Sequence, residues 1–197
     1  MQIIEKMRRF VHTIMEPVHK FMDWLAEEPK GVLPVIGYAA FGALIAISVD
    51  YTVHNALLNW GIIPRPELGN LKDIPFPYKG YNVLDFTGMF AWLPLKEEIF
   101  SRIVPLAFVT AFVSRRPSVV FGLNALFAVI FGVIHPYGLE GKILTGISGF
   151  CFGLVFLKCG GLNKSYIKAS AAAVLAHGFT NVFVVLDDLW RYYELTL

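Results

Sequence analysis

The sequence predicts an all-α fold: a polytopic helical membrane bundle of about five to six transmembrane segments, with an amphipathic interfacial helix at the N-terminus. Three observations lead there. The 197 residues are 56% hydrophobic and 16% charged, with a mean hydropathy of +0.58, whereas ordinary soluble domains carry roughly a quarter charged residues. Apolar blocks recur at about 32–57, 82–113, 118–135, 143–158 and 166–186, each near the ~20 residues that span hydrocarbon. Residues 2–27 differ, mixing apolar and charged positions at helical spacing.

In that first segment Ile3, Met7, Phe10, Ile14, Val18, Phe21 and Leu25 share a face and charged residues fill most of the rest. This is the pattern of a helix lying in the membrane interface, with a bend expected near Pro17; packing on a partner's surface is the alternative. His12 and His19 on this helix are expected to be solvated. Pro29 and Gly31 then punctuate the chain, so residues 1–30 form one unit and 31–197 the membrane domain. Acids and bases crowd the first residues and no small-residue cleavage site follows, so no signal peptide is expected. No C-terminal lipidation motif, internal repeat or low-complexity segment stands out.

Block 82–113 is too long for one span. Pro94 suits the first turn of a helix, where its missing N–H costs nothing, which divides the block into a short segment 82–93 and a spanning helix 94–113. The linker 60–80, rich in Pro, Gly and charge, is expected to be an ordered loop at one membrane face. Alternating the spans puts ten Lys and Arg residues on the side of the N-terminus and five on the other, which favours a cytoplasmic N-terminus. The net charge of +2 and its scatter give no nucleic-acid surface; the lipid bilayer is the first partner. Cys151 and Cys159 lie eight apart on one apolar run, cannot bridge, and are expected to be buried as small apolar groups. Trp60, Trp92 and Trp190 are placed for interfacial anchoring, Asp187 and Asp188 for a water interface, and Asp85 for the border of a site. Asp50 and His54, four apart near the end of the first span, are expected to pair with each other or with the headgroup region.

The stretch LPLKEEIFSRIVP carries the informative charges. Ionisable groups in a spanning helix cost ~2.5–3.5 kcal/mol each on insertion scales, so they are paired or functional. Glu98 and Arg102 are four apart on one face, in the favourable acid-then-base order, and can neutralise each other. Glu97 is rotated about 100° from Glu98, away from Arg102, and is the leftover acid. His135 ends FAVIFGVIH just before Pro136, and His177 lies in VLAHGFTNV with Asn181 four residues on, on the same face. A single histidine on an apolar helix is more often a core residue than a catalyst. Alternating spans, however, bring Glu97, His135 and Asn181 to similar depths near one membrane face. A carboxylate and an imidazole sharing a water can act as base and proton shuttle, while a second imidazole and a carboxamide can donate to an oxyanion.

The ordered trio EEIFSR, FGVIH and HGFTN, over about residues 94–186, resembles the CAAX protease and bacteriocin-processing family of intramembrane glutamic-type endopeptidases, the group that contains the Ras-converting CAAX enzyme. The resemblance implies that 31–197 is an intramembrane protease domain with Glu97 as base, His135 activating water, and His177 with Asn181 binding the oxyanion. Glu98, Arg102 and Phe131 would support the site. The substrate implied is a membrane-associated or exported peptide or protein, with no cofactor and no metal. A zinc site built from the Glu and His residues is the first rival, although no His-Glu-x-x-His element is present. A non-enzymatic scaffold, immunity or assembly factor is the second, with the N-terminal helix joining a membrane-protein complex. A proton-coupled transporter is the third, disfavoured by few spans and no repeat.

Overall fold

The computed structural model describes residues 2–63 and 78–196, of which 2–4, 7–12, 14, 195 and 196 by backbone alone. Most of the 60–80 linker, and the side chains of Ile3, Met7, Phe10, His12 and Ile14, thus lie outside the described residues. Among the described residues six helical runs occur: α1 Gln2–Ala26, α2 Val32–Asn59, α3 83–113, α4 Pro117–Ile134, α5 Leu139–Gly161 and α6 Tyr166–Thr196. Among the described residues α2, α4, α5 and α6 are long and apolar enough to cross a membrane. The chain is an all-α membrane bundle. Large apolar side chains face outward, among them Phe41, Phe100, Phe112 and Val133, as lipid contact requires and water would not favour.

The expected division of 82–113 does not occur. Helical backbone runs through Trp92, Leu93 and Pro94 without a break. Pro94 does open an α-helical piece, Leu93–Glu98, but the preceding Gly88–Trp92 is a π turn rather than a loop. The same arrangement recurs where π-helical Ile99–Ile103 precedes Pro105. Proline has no N–H and its ring clashes with the carbonyl four residues back; widening the turn to i→i+5 bonding makes room for the ring without ending the helix, but one carbonyl still lacks its helical donor. At Pro94 the stranded carbonyl is that of Met89, and α6 serves it. Asn181 Nδ2 donates to the Met89 carbonyl at 2.8 Å, and a Cβ at Gly178 would stand 2.5 Å from the Phe90 carbonyl, so only glycine allows this approach.

Two cores hold the helices together. Val35, Ala39 and Ala46 of α2 pack with Cys151, Phe152 and Val155 of α5 and with Ala172 and Ala176 of α6; their small size sets a short interhelical distance. Cys151 and Cys159 are both buried and free. Leu25 of α1 is buried with Leu106 and Val109 of α3, Val120 of α4, Phe156 of α5 and Ala169 of α6. The α1 end therefore sits at the bundle face where α3 and α5 finish and α4 and α6 begin. Earlier on α1, Val18 and His19 are exposed and Phe21 is half-buried, and the helix continues through Pro17.

A buried cation fixes that end. Lys158 is 4% exposed and donates to the carbonyls of Trp24 and Glu27 at 2.5 and 2.6 Å, with the Trp24 ring 4.5 Å from its ammonium. A positive charge at a helix C-terminus meets both unsatisfied carbonyls and the negative end of the dipole. Nearby, Glu28 pairs with Lys168, whose hydrogen bond holds the Glu28 carboxyl below its ordinary range. Lys158→Met, which keeps the volume and removes the donors, is expected to cost about 2 kcal/mol, the scale of hydrogen bonds to a charged group. Thermal unfolding in detergent measures that loss, and faster proteolysis between α1 and α2 locates it.

Candidate active site

The polar residues of α3 divide between the bundle core and a cavity because Glu97 and Glu98 point in different directions. Glu98 and Arg102 are completely buried and paired. Arg102 reaches this position between aromatic rings, its guanidinium carbon 4.0 Å from the Phe131 ring centre and 5.5 Å from that of Phe152, a cation–π arrangement. Gly149 of α5 leaves the space: a Cβ there would overlap Arg102 Nη2. Glu98 Oε1 also accepts from His177 Nδ1 at 2.9 Å, a contact that i,i+4 spacing on α3 could not reveal. Glu97 is one-quarter exposed, and Ser101 Oγ donates to its carbonyl at 2.5 Å.

Both imidazoles turn Nε2 toward Glu97. Glu97 Oε2 lies 3.9 Å from His135 Nε2 and 3.8 Å from His177 Nε2. The rest of each ring is committed. His135 follows the last turn of α4 in an extended conformation, as a residue before proline should, and its Nδ1 donates to the Phe131 carbonyl at 2.7 Å. Tyr137 stacks on it with centres 5.4 Å apart. His177 stacks on Phe152 at 4.8 Å while its Nδ1 donates to Glu98. Since a carbonyl and a carboxylate only accept, each Nδ1 carries hydrogen, which fixes how the opposite nitrogen is presented.

Glu97, His135, His177 and Asn181 line one cavity of about 400 Å³ between α2, α3, the end of α4, α5 and α6. It lies toward the bundle end away from α1: His135 is roughly 22 Å along α4 from Val120, at about 1.5 Å per residue. Asn181 lines the cavity while bonded to the Met89 carbonyl; its second N–H is left for other use. Phe131 is wall, ring platform for Arg102 and carbonyl acceptor for His135 at once. Among the described residues no group of three or more His, Cys, Asp and Glu side chains has metal-holding geometry.

The expected Asp50–His54 pair is not formed. Asp50 accepts from Ser148 Oγ at 2.6 Å and lines the cavity, while His54 pairs with Glu140 at the start of α5. Both partners sit on another helix, nearly a hundred residues away, and beyond the reach of local spacing. The unpaired acid in an apolar span was the signal for Asp50; the glycines of α5 were the signal for close approach at Arg102. Asp85 closes a capping box with Asn82 at the start of α3, and Asp187 and Asp188 hold Arg191 and the Tyr78 hydroxyl. Trp60, Trp92 and Trp190 are exposed, as anchors should be. Packing at Gly149 can be tested directly. Gly149→Ala is expected to displace Arg102 and destabilise by about 1–3 kcal/mol, the range for overpacked cores. Gly122→Ala on α4, where nothing lies within 4 Å of the added atom, should stay within about 0.5 kcal/mol. Thermal unfolding of both variants in one detergent makes the comparison.

No curated protein and no solved structure matches the chain. The family model described as "Type II CAAX prenyl endopeptidase Rce1-like" matches residues 79–183, from the start of α3 to beyond Asn181 and so across all the cavity residues just described except Asp50. That is more than half of the sequence, and this integral membrane chain belongs to the Rce1-like family of protease-type enzymes.

Proposed function

We propose that the chain hydrolyses a peptide bond of a membrane-associated or exported peptide by direct attack of water, with Glu97 as general base. The observation that carries this reading is one carboxylate oxygen facing two separately oriented Nε2 atoms at 3.8 and 3.9 Å. A water oxygen about 2.8 Å from the carboxylate and from one imidazole closes a triangle on such an edge. In the reaction, water gives one proton to Glu97 and directs its second hydrogen to His135 Nε2, leaving a lone pair for the substrate carbonyl. The carbonyl π bond opens as the new C–O bond forms. The oxyanion then accepts from Asn181 and from Nε2–H of His177 in its protonated form. That form keeps Nδ1–H on Glu98 and balances the charges of Glu97, Glu98 and Arg102 within the low-dielectric site. Collapse breaks the C–N bond, and the proton held by Glu97 passes to the leaving amine.

Three committed contacts support the assignment. The Phe131 carbonyl holds His135, Glu98 holds His177, and Arg102 neutralises Glu98. Glu97 alone among these ionisable groups has no partner within hydrogen-bond distance through its side chain, as a base waiting for water should. The excess of Lys and Arg at the α1 end of the bundle supports a cytoplasmic N-terminus and a site opening toward the opposite face. The exposed stretch of α1 around Glu16 and Lys20, which pair at 2.7 Å, is the surface available to a membrane-protein partner.

Purified protein in detergent, assayed on membrane-peptide substrates, tests the mechanism. Glu97→Gln preserves shape and removes the basic oxygen; turnover is expected to fall at least 10²–10⁴-fold with the melting temperature unchanged. Asn181→Ala should lose roughly 10²–10³-fold, the scale for one oxyanion donor. Chelators should leave the wild type unaffected. Activity surviving in Glu97→Gln overturns the assignment, and reversible loss on chelation moves the chemistry to a metal.

A further inference from the structure

The active-site cavity continues into a larger groove of about 830 Å³ between α2 and the second half of α6. Asp50, Leu144, Thr180 and Val184 line both spaces, so they form the junction through which a chain lying in the groove reaches Glu97. Among the described residues Asp50 is the only ionisable member of this junction. Ser148 fixes one of its oxygens by donating to Oδ2 at 2.6 Å. The other, Oδ1, is buried and has no hydrogen-bond partner. Among the described residues no cation pairs with it: His54, one turn along α2, is taken by Glu140, and Arg191 in the groove by Asp187. The groove also carries Asp188, giving among the described residues three carboxylates against Arg191 and His54 along its lining.

A carboxylate in an apolar span that is pre-oriented by a serine, lacks a cation and borders the reacting groups is built to receive positive charge from outside. We propose that Asp50 is a cation-recognition subsite, its free Oδ1 taking the ammonium or guanidinium of a Lys or Arg side chain adjacent to the scissile bond of a substrate segment lying in the α2–α6 groove. This rests on the endopeptidase reading above for the location of the scissile bond. The apolar walls, Ile47, Leu144, Phe183 and Val184 among them, accept the hydrocarbon stem and neighbouring apolar residues, while the carboxylate reads the charge. The substrate class is accordingly an apolar membrane peptide bearing one basic residue near the cut. A neutral residue of equal length would fill the same space and leave Oδ1 without a partner, and a site with a buried unpaired polar group discriminates strongly against such a ligand.

The test uses full-length protein in detergent and fluorescent apolar peptides that differ only by Lys, norleucine or Glu, scanned through successive positions. Binding and cleavage are measured separately. At one position the wild type should prefer Lys to norleucine by roughly 10–100-fold, the range expected for one charge-assisted hydrogen bond, and reject Glu. Asp50→Asn should erase the preference, bringing the Lys and norleucine peptides to within about threefold of each other. Asp50→Glu should retain part of the preference. Equal binding of Lys and norleucine peptides by the wild type overturns the proposal, as does a Lys preference that survives in Asp50→Asn. If Asp50→Asn fails to fold, the wild-type panel and Asp50→Glu still decide. Asp50-dependent binding of the Lys peptide without cleavage would keep the subsite and sink the peptidase reading; cleavage with no preference for Lys would do the reverse.

Discussion

A guanidinium buried in the middle of an apolar bundle constrains everything around it. Arg102 has no exposure, and removing its partner would leave an uncompensated charge, a change that typically costs 3–5 kcal/mol. Glu98 therefore has to face it, and the rotation of α3 about its axis is set. Once Glu98 faces inward, Glu97 must look toward the space between α4 and α6. Phe131 and Phe152 have to flank the guanidinium, which brings the last turn of α4 and the middle of α5 against α3. His135 is four residues beyond Phe131 and hangs on its carbonyl; His177 stacks on Phe152 and bonds Glu98. Each histidine is thus located by a group that Arg102 has already located.

The pair is incompletely satisfied. Glu98 Oε2 and Arg102 Nε and Nη2 are buried without hydrogen-bond partners, and each such group carries a desolvation penalty of order 1–3 kcal/mol. A pair retained at that penalty does little for net stability, since well-packed apolar residues would serve as well or better. Its consequence is positional: it prevents α3 from rotating or sliding to relieve Glu97. The small residues at the α2–α5–α6 contacts and the glycine at 149 serve the same end, because they let the backbones approach closely enough for side-chain contacts of fixed direction.

Much of this was legible in the sequence, for reasons of short range. Apolar blocks of span length appear as helices because the bilayer demands internally bonded backbone. The separation of Glu97 from Glu98 follows from 3.6 residues per turn, and the Glu98–Arg102 contact from i,i+4 spacing. The ordering of His135 before Pro136 placed it at a helix end. What stayed hidden depended on partners far along the chain. Asp50 and His54 are the right distance apart to pair, yet Ser148 and Glu140 compete for them from α5 and win. Pro94 looked like a helix boundary, since the alternative of a π turn needs a donor for the carbonyl it strands. That donor, Asn181 Nδ2, lies ninety-two residues beyond Met89. The polar residue read only as a site group is also the one that lets α3 stay continuous.

Asn181 accordingly links the course of the backbone to the site. Its amide must reach the Met89 carbonyl, so α6 must pass close to α3 at Gly178, and that contact sets where His177 stands relative to Glu97. One π turn, Gly88–Trp92, precedes Glu97 and the next, Ile99–Ile103, contains Arg102, and each widened turn shifts the phase of the helix that follows it relative to an uninterrupted α-helix. The prolines, which a spanning helix would ordinarily avoid, thus act together with the buried ion pair: the pair fixes which way α3 faces, and the π turns allow the rest of the helix to follow while Glu97 is left facing the cavity.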